Sequence, residues 1–353
     1  MTTLIATIFV LGILIFFHEL GHFLVAKKSG IRVEKFSLGF PPKMIGKKIG
    51  DTEYCISWIP LGGYVKMAGE DPDETKIEGK PFEFMSKPVG IRALVVAAGP
   101  VMNLILAIFI FWGIIFFRGM QEIHDETAQV GLVAAGGPAD EAGIKPGDTI
   151  ISINGVEVTT FREMAQIIYQ HVEKPVEVKW ERDGKEFASQ ITTFKDRVMD
   201  EKGEMMEVGK IGIGPNYTTI KVGFFKAFWE AVNMAIFILV ESIKFIVGLI
   251  TGTASVKLLG GPLFIAQAAG ETAKTGFVSL LSFMALLSVN LSLINILPIP
   301  VLDGGHLLFL SIEKIKGSPL SLKQRATMQQ IGLAFLILLI IFVTYNDLLR
   351  TIK

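Results

Sequence analysis

The chain is 353 residues long and half hydrophobic, with a mean hydropathy of +0.50, which excludes an ordinary soluble protein. Its 34 basic and 34 acidic residues cancel, so no charge field points to a nucleic-acid partner. The single cysteine, Cys55, excludes an intrachain disulfide and reads as a strand residue rather than a nucleophile.

Residues 3–25 form the first apolar run. No basic residue precedes it and no small-x-small site follows it, so a retained membrane helix is expected rather than a cleaved signal. Inside the run stands His18-Glu19-Leu20-Gly21-His22. Histidines four apart share one helix face about one turn (~6 Å) from each other. Both imidazoles can then reach one zinc ion, and Glu19 can take a proton from a water that the metal activates. The plainer reading is two helix histidines with an ion-paired glutamate. It would place charge in the bilayer at a cost of at least ~2.5–3.5 kcal/mol.

The next apolar run is Ile91–Phe117, read as a second membrane helix over 91–118. Twelve Lys and Arg lie from Lys27 through Arg92, so the positive-inside rule puts this loop in the cytoplasm and the N-terminus outside. The His-Glu motif then sits toward the cytoplasmic end of its helix. Within 26–90, Thr52–Ile59 is rich in β-branched and aromatic residues, Pro60-Leu61-Gly62-Gly63 turns, and Tyr64–Met67 continues extended. A small membrane-associated β-sheet is expected. Its edge either binds an extended peptide or merely packs over the helices. Residues 69–80 read as a polar loop, and Phe82, Phe84 and Met85 as an interfacial segment.

Residues 119–195 turn polar on the outer side. Val130-Gly131-Leu132-Val133 opens a strand, and Gly137-Pro138-Ala139 leads a short helix ending near Gly143. Pro146-Gly147-Asp148 and Asn154-Gly155 bracket another strand with tight turns. Residues 161–170 read as a helix with Phe161, Met164, Ile167 and Ile168 on one face, and Val176–Trp180 alternates as a strand. This order resembles a PDZ domain, most specifically from Ala142 to Gly155. The resemblance implies a groove for a peptide or protein ligand, formed by Val130, Gly131, Leu132 and Val133 with the 161–170 helix.

Residues 196–220 read as a hairpin, the start of a 196–276 region of hairpin and interfacial helices. Residues 222–250 are apolar but carry Lys226, Glu230, Glu241 and Lys244, which fits either a span or an amphipathic surface helix. A third span is expected at 277–302, a cytoplasmic loop at 303–330 and a fourth span at 331–353. The expected fold is a polytopic α-helical membrane protein of about four transmembrane helices, with the β-sheet and an inserted α+β PDZ domain.

A catalytic zinc needs three protein ligands and an open position. Asp303 fits the third place, at the end of a long apolar helix and beside two glycines, and His306 competes. If only 277–302 crosses after the outer module, Asp303 emerges level with His18 and His22. A crossing by 222–250 would put it about 30 Å away on the other face, so 222–250 is assigned to the interface.

His18-Glu19-Leu20-Gly21-His22 early in the chain, with Asn295, Pro298, Pro300 and Leu302-Asp303-Gly304-Gly305 late, resembles the site-2 protease family. The PDZ-like module between the second and third spans is similar to the bacterial RseP-type branch, here with one module rather than two. The resemblance covers nearly the whole chain. It implies Zn2+ on His18, His22 and Asp303, Glu19 as general base, and Asn295 with Pro298 and Pro300 holding an unwound substrate. Gly99-Pro100-Val101-Met102-Asn103 matches a further family pattern, with Asn103 structural or in contact with substrate. Gly39-Phe40-Pro41-Pro42 departs from the usual Gly-Phe-Gly-Pro. The implied function is zinc-dependent cleavage of single-span proteins within a bacterial inner membrane, in contact with the lipid bilayer. Anti-sigma factors and remnant signal peptides are the implied substrates. A non-catalytic PDZ scaffold is the competing class, and the intact His18, Glu19, His22 and Asp303 set argues against it.

Overall fold

The computed structural model describes residues 2–70, 79–123, 126–199 and 205–352. Most of the expected polar loop, 71–78, and His124 lie outside them. Contacts divide the chain into two units, one of residues 1–114, 225–244 and 257–353, the other of 115–224 and 245–256.

In chain order the elements begin with α1 (Thr2–Lys28), β1 (Val33–Ile49), β2 (Thr52–Met67) and α2 (Val89–Arg118). The second unit supplies β3 (Met120–Ile123), β4 (Val130–Val133), α3 (Pro138–Glu141), β5 (Thr149–Ile153) and β6 (Val156–Glu157). It continues with α4 (Phe161–Tyr169), β7 (Pro175–Arg182), β8 (Lys185–Thr192), β9 (Phe194–Met199) and β10 (Met205–Lys210). Then come β11 (Ile213–Pro215), β12 (Tyr217–Ile220), α5 (Phe224–Thr251), α6 (Pro262–Thr275), α7 (Phe277–Ile296), α8 (Asp303–Lys316) and α9 (Leu322–Ile352).

The first unit is a helix bundle built on stripes of buried residues at a spacing of four. Ala6, Val10 and Leu14 of α1 pack with Leu280 and Met284 of α7, Leu106 of α2 and Ala269 of α6. A side chain at Gly270 of α6 would run into Thr3, so α6 meets the start of α1. Gly276 then turns the chain into α7. Near the other end of α7, Asn295 and then Asp303 reach His18. The two helices therefore run parallel. α2 runs against them: Leu106 lies in the Leu14 cluster, while Val95 meets His22.

Five helices among the described residues are long and apolar enough to cross a membrane, α1, α2, α5, α7 and α9. The sequence reading counted about four and held 222–250 at the surface. The added helix is α5, which contains an 18-residue stretch with at most two charged residues. Phe228 of α5 stacks edge-on against Trp112 of α2, and Ser242 donates to Asn290 of α7. The helix thus runs alongside α2 and α7. By bringing the chain back to the start of α1, α6 lets Asp303 meet the histidines whether or not α5 crosses.

Strands β1 and β2 are long and bent. Phe36 pairs with both Tyr54 and Val65, so residues 33–38 lie between two arms of β2. The far arm of β1, 43–49, covers 52–57 from outside. That leaves 63–67 as an outer arm. The far arms expose Met44, Ile45, Ile49, Ile56 and Trp58.

In the second unit, β6-β5-β7-β8 form one sheet. Val176, Val178 and Trp180 point inward from β7 in the expected alternation. Met164 and Ile168 of α4 join them in the core. Thr160 and Glu163 close a reciprocal cap at the start of α4. Asn154 and Gly155 both take positive φ, as the tight turn between β5 and β6 requires. These elements follow the strand and helix order expected of a PDZ-like module.

Candidate metal centre

Helix α1 presents His18 and His22 on one face, and their rings meet edge to face. After α7 the segment Leu297–Pro300 leaves helical geometry, and α8 restarts at Asp303. Side chains at Gly304 or Gly305 would strike the carbonyls of Ile296, Leu297 and Ile299, so the glycine pair lets α8 start tight against the turn.

The three polar tips converge. Asp303 Oδ2 lies 3.1 Å from His18 Nε2 and 3.5 Å from His22 Nε2, and the two Nε2 atoms are 3.2 Å apart. Ligands ~2.0–2.1 Å from a tetrahedral ion stand about 3.3 Å from each other. The triangle therefore has the size of one face of a zinc tetrahedron. Oδ2 of Asp303 is buried and takes no hydrogen bond, as a metal-facing oxygen would be. The set His18, His22 and Asp303 fits a zinc ion, with the fourth position open for water.

His306, the competing ligand, lines the same cavity without joining this triangle. Burial pushes its imidazole below the usual range.

The rings are fixed from behind. His22 Nδ1 is 2.8 Å from the Val95 carbonyl, so Nδ1–H donates there and Nε2 keeps its lone pair for the centre. His18 Nδ1 faces the amides of Asn103, at 3.4 Å, and Asn295, at 3.5 Å. Asn103 is fully buried, and its Oδ1 has no donor. With the Asn103 amide turned end for end, Oδ1 accepts His18 Nδ1–H and that oxygen is satisfied. Asn103, expected to touch substrate or to be structural, lies behind the His18 ring. A side chain at Gly99 would collide with both histidine rings, and one at Gly21 with the Ala98 carbonyl.

Glu19 opens onto a cavity of about 640 Å³ with His18, His22 and Asp303. The Val65 amide donates to its carboxylate, and Gly63 passes against its Cγ. The outer arm 63–67 of the sheet therefore turns its outer edge toward Glu19. Asn295 is half-buried beside His18, Pro298 is exposed, and Pro300 packs on Gly332 of α9.

In the second unit the groove assignment changes. Leu132 and Val133 pair with β11, while Val130 bonds to Gly147 and Asp148 on the other side. Val130 is wholly buried, and a side chain at Gly131 would strike Pro215. β4 is thus an inner strand, and the outer strand beside it is β11. The PDZ resemblance implies a strand and helix groove at Val130–Val133, and a resemblance in element order does not separate inner from outer strands. Sequence reasoning also missed Val95 and Val65, which act through backbone atoms and leave no side-chain signature.

Comparison with known proteins gives one consistent picture. The pattern of Peptidase family M50 matches residues 6–339. The regulator of sigma-W protease RasP of Bacillus subtilis is 32% identical, over 99% of this chain and 98% of that protein. The zinc metalloprotease RasP of Bacillus licheniformis is 31% identical, over 99% of each chain. A protein of Agrobacterium fabrum whose name also contains the words zinc metalloprotease is 36% identical, over 97% of this chain and 94% of its own. Among solved structures, the PDZ domain of an SdrC-like protein from Listeria monocytogenes is 22% identical, with a TM-score of 0.21. That match covers 27% of this chain and 92% of the Listeria one.

Proposed function

The chain belongs to peptidase family M50, the site-2 proteases, and from that premise we propose that His18, His22 and Asp303 hold its zinc and Glu19 is its general base. The protein is a zinc metalloprotease and a multi-pass membrane protein. The observation that carries the residue assignment is the triangle of ligand atoms, 3.1, 3.5 and 3.2 Å on its sides. A bound zinc supplies Lewis acidity to a water and to the scissile carbonyl. Glu19, facing the same cavity, removes a proton from the attacking water and delivers it to the departing amide nitrogen.

The substrate we infer is the membrane segment of a single-span protein, such as an anti-sigma factor or a remnant signal peptide. A helical segment hides its carbonyls in i to i−4 bonds and must unwind before attack. The outer arm 63–67 supports an account of how it is held. An extended segment adding to that arm would gain backbone hydrogen bonds one residue from the Glu19 contact at Val65. Asn295, half-buried beside His18, is placed to give an amide donor to the same segment. In the topology we favour, the N-terminus and the PDZ-like module are extracytoplasmic and the zinc site lies toward the cytoplasm, following the basic loop between α1 and α2.

The test is a comparison of membrane proteomes from cells carrying the wild type and Glu19→Gln. Single-span fragments accumulate in the variant while the purified protein keeps one zinc per chain. Continued cleavage by Glu19→Gln removes Glu19 as the base.

A further inference from the structure

Arg92 of α2 and Glu313 of α8 form a bidentate ion pair in the bundle interior. One Nη donates to Oε2 over 3.1 Å and the other to Oε1, and both residues are less than one-tenth exposed. Arg92 Nε donates to the Lys87 carbonyl at 3.0 Å, which fixes the plane of the fork. Arg325 of α9 brings a second cation to 3.6 Å from Oε2. Such a pair is costly to desolvate, and apolar residues of similar volume would often hold the helices as well. Its distinctive contribution is directional. A planar guanidinium meeting a carboxylate through two parallel bonds accepts one orientation.

That orientation bears on the metal site. α2 carries the carbonyl of Val95 that orients His22, the close-packed Gly99 and the Asn103 amide behind His18. α8 starts with Asp303 and carries Glu313 ten residues later, about 15 Å along the axis. Between them Leu310 packs against Val95 and Val96. Gly304 and Gly305 seat the start of α8 closely, but a seat without side chains does not set its rotation. Rotation about the α8 axis decides where Asp303 Oδ2 points.

We propose that Arg92 and Glu313 are positioning residues for zinc, locking the rotation of α8 against α2 so that Asp303 stays aligned with His18 and His22. The proposal rests on the zinc assignment made above.

The test uses the full chain in detergent or nanodiscs, with zinc affinity read by chelator competition and the melting of the zinc-free protein read separately. Arg92→Lys keeps the charge and loses the fork, and Glu313→Gln keeps the shape and loses the charge. Each is expected to weaken zinc binding by about tenfold or more, as loss of groups behind metal ligands does. The double variant is expected to lose less than the product of the two singles, because both remove one interaction. Lower melting with unchanged zinc affinity would mean a merely structural pair and overturns the proposal. A wild type that binds no zinc overturns the metal assignment, and this proposal with it. A wild type and an Arg92→Lys variant that bind zinc equally overturn only the proposal. Should either variant fail to fold, Glu313→Asp, which keeps the charge and withdraws it by one methylene, carries the same readout.

Discussion

Asn103 Nδ2 lies 3.4 Å from His18 Nδ1, and among the described residues none donates to the buried oxygen of that amide. An acceptor at this point makes Nδ1 the protonated nitrogen of His18 and leaves Nε2 to the metal. Asn103→Leu is therefore expected to weaken zinc binding by ~10–100-fold. Asn103→Asp keeps an acceptor and is expected to stay closer to the wild type. Metal content after dialysis against a graded chelator reads both. Equal affinity in Asn103→Leu and the wild type would show that the amide does not orient the ring.

Asp303 and His306 stand one turn apart at the start of α8, yet only Asp303 belongs to the ligand triangle. Asp303→Ala is expected to lower bound zinc from one per chain to near none, since two ligands remain. His306→Ala is expected to leave one zinc per chain. The reverse pattern would move the third ligand to His306.

Gly99 is a packing requirement that a single methyl tests. Its Cβ would collide with the rings of both His18 and His22, whereas a Cβ at Gly12 meets nothing within 4 Å. Gly99→Ala is expected to abolish high-affinity zinc binding and proteolysis, and Gly12→Ala to preserve both. Matching zinc content in the two variants would argue that the rings shift without losing the metal.

In the PDZ-like module, Asp148 is 1% exposed and bound by Arg182 through Nε and an Nη at 2.6 Å each. Burial would raise its carboxyl, but Arg182 and the Lys145 amide hold it below the ordinary range. A depressed folded pKa contributes stability that is present above the unfolded value, about 3.9, and is lost as pH falls through the folded value. Arg182→Met leaves the buried carboxylate unpaired, a change that costs about 3 kcal/mol at neutral pH. Hydrogen exchange of β5 and β7 amides in the full chain, corrected for intrinsic rates, measures the difference. It is expected to be largest near pH 7, to shrink as acid protonates the unpaired Asp148 of the variant, and to vanish only below the depressed folded value of the wild type. A difference independent of pH counts against the pair.

The residues of the proposed metal centre were legible because their chemistry is written in side chains at fixed spacing. His18 and His22 announce themselves four residues apart, and Asp303 follows from asking which apolar helix can return to them. The alternation of Val176, Val178 and Trp180 and the cap of Thr160 with Glu163 were equally local. What stayed hidden depends on tertiary neighbours. The Val95 carbonyl and the Val65 amide are backbone groups that any residue supplies. Arg92 and Glu313 meet across 221 residues, and nothing near either names its partner. β4 is an inner strand and β11 the outer one beside it, and only the strand pairing tells the two apart. α5 reads from its own residues as either a span or a surface helix, because Lys226, Glu230, Glu241 and Lys244 interrupt an otherwise apolar run.

The parallel course of α1 and α7 also has a meaning in time. On the proposed assignment, two zinc ligands are synthesised at residues 18 and 22, and the third only at residue 303. At ~5–20 residues per second, translation needs roughly 15–60 s to bridge them. Throughout that interval the emerging polypeptide holds Glu19 and two imidazoles but no complete centre. Proteolytic competence arrives only when α7 has been threaded beside α1, after α2 and the module have been made. Until then the order of synthesis keeps the proposed centre incomplete beside nascent neighbours in the membrane.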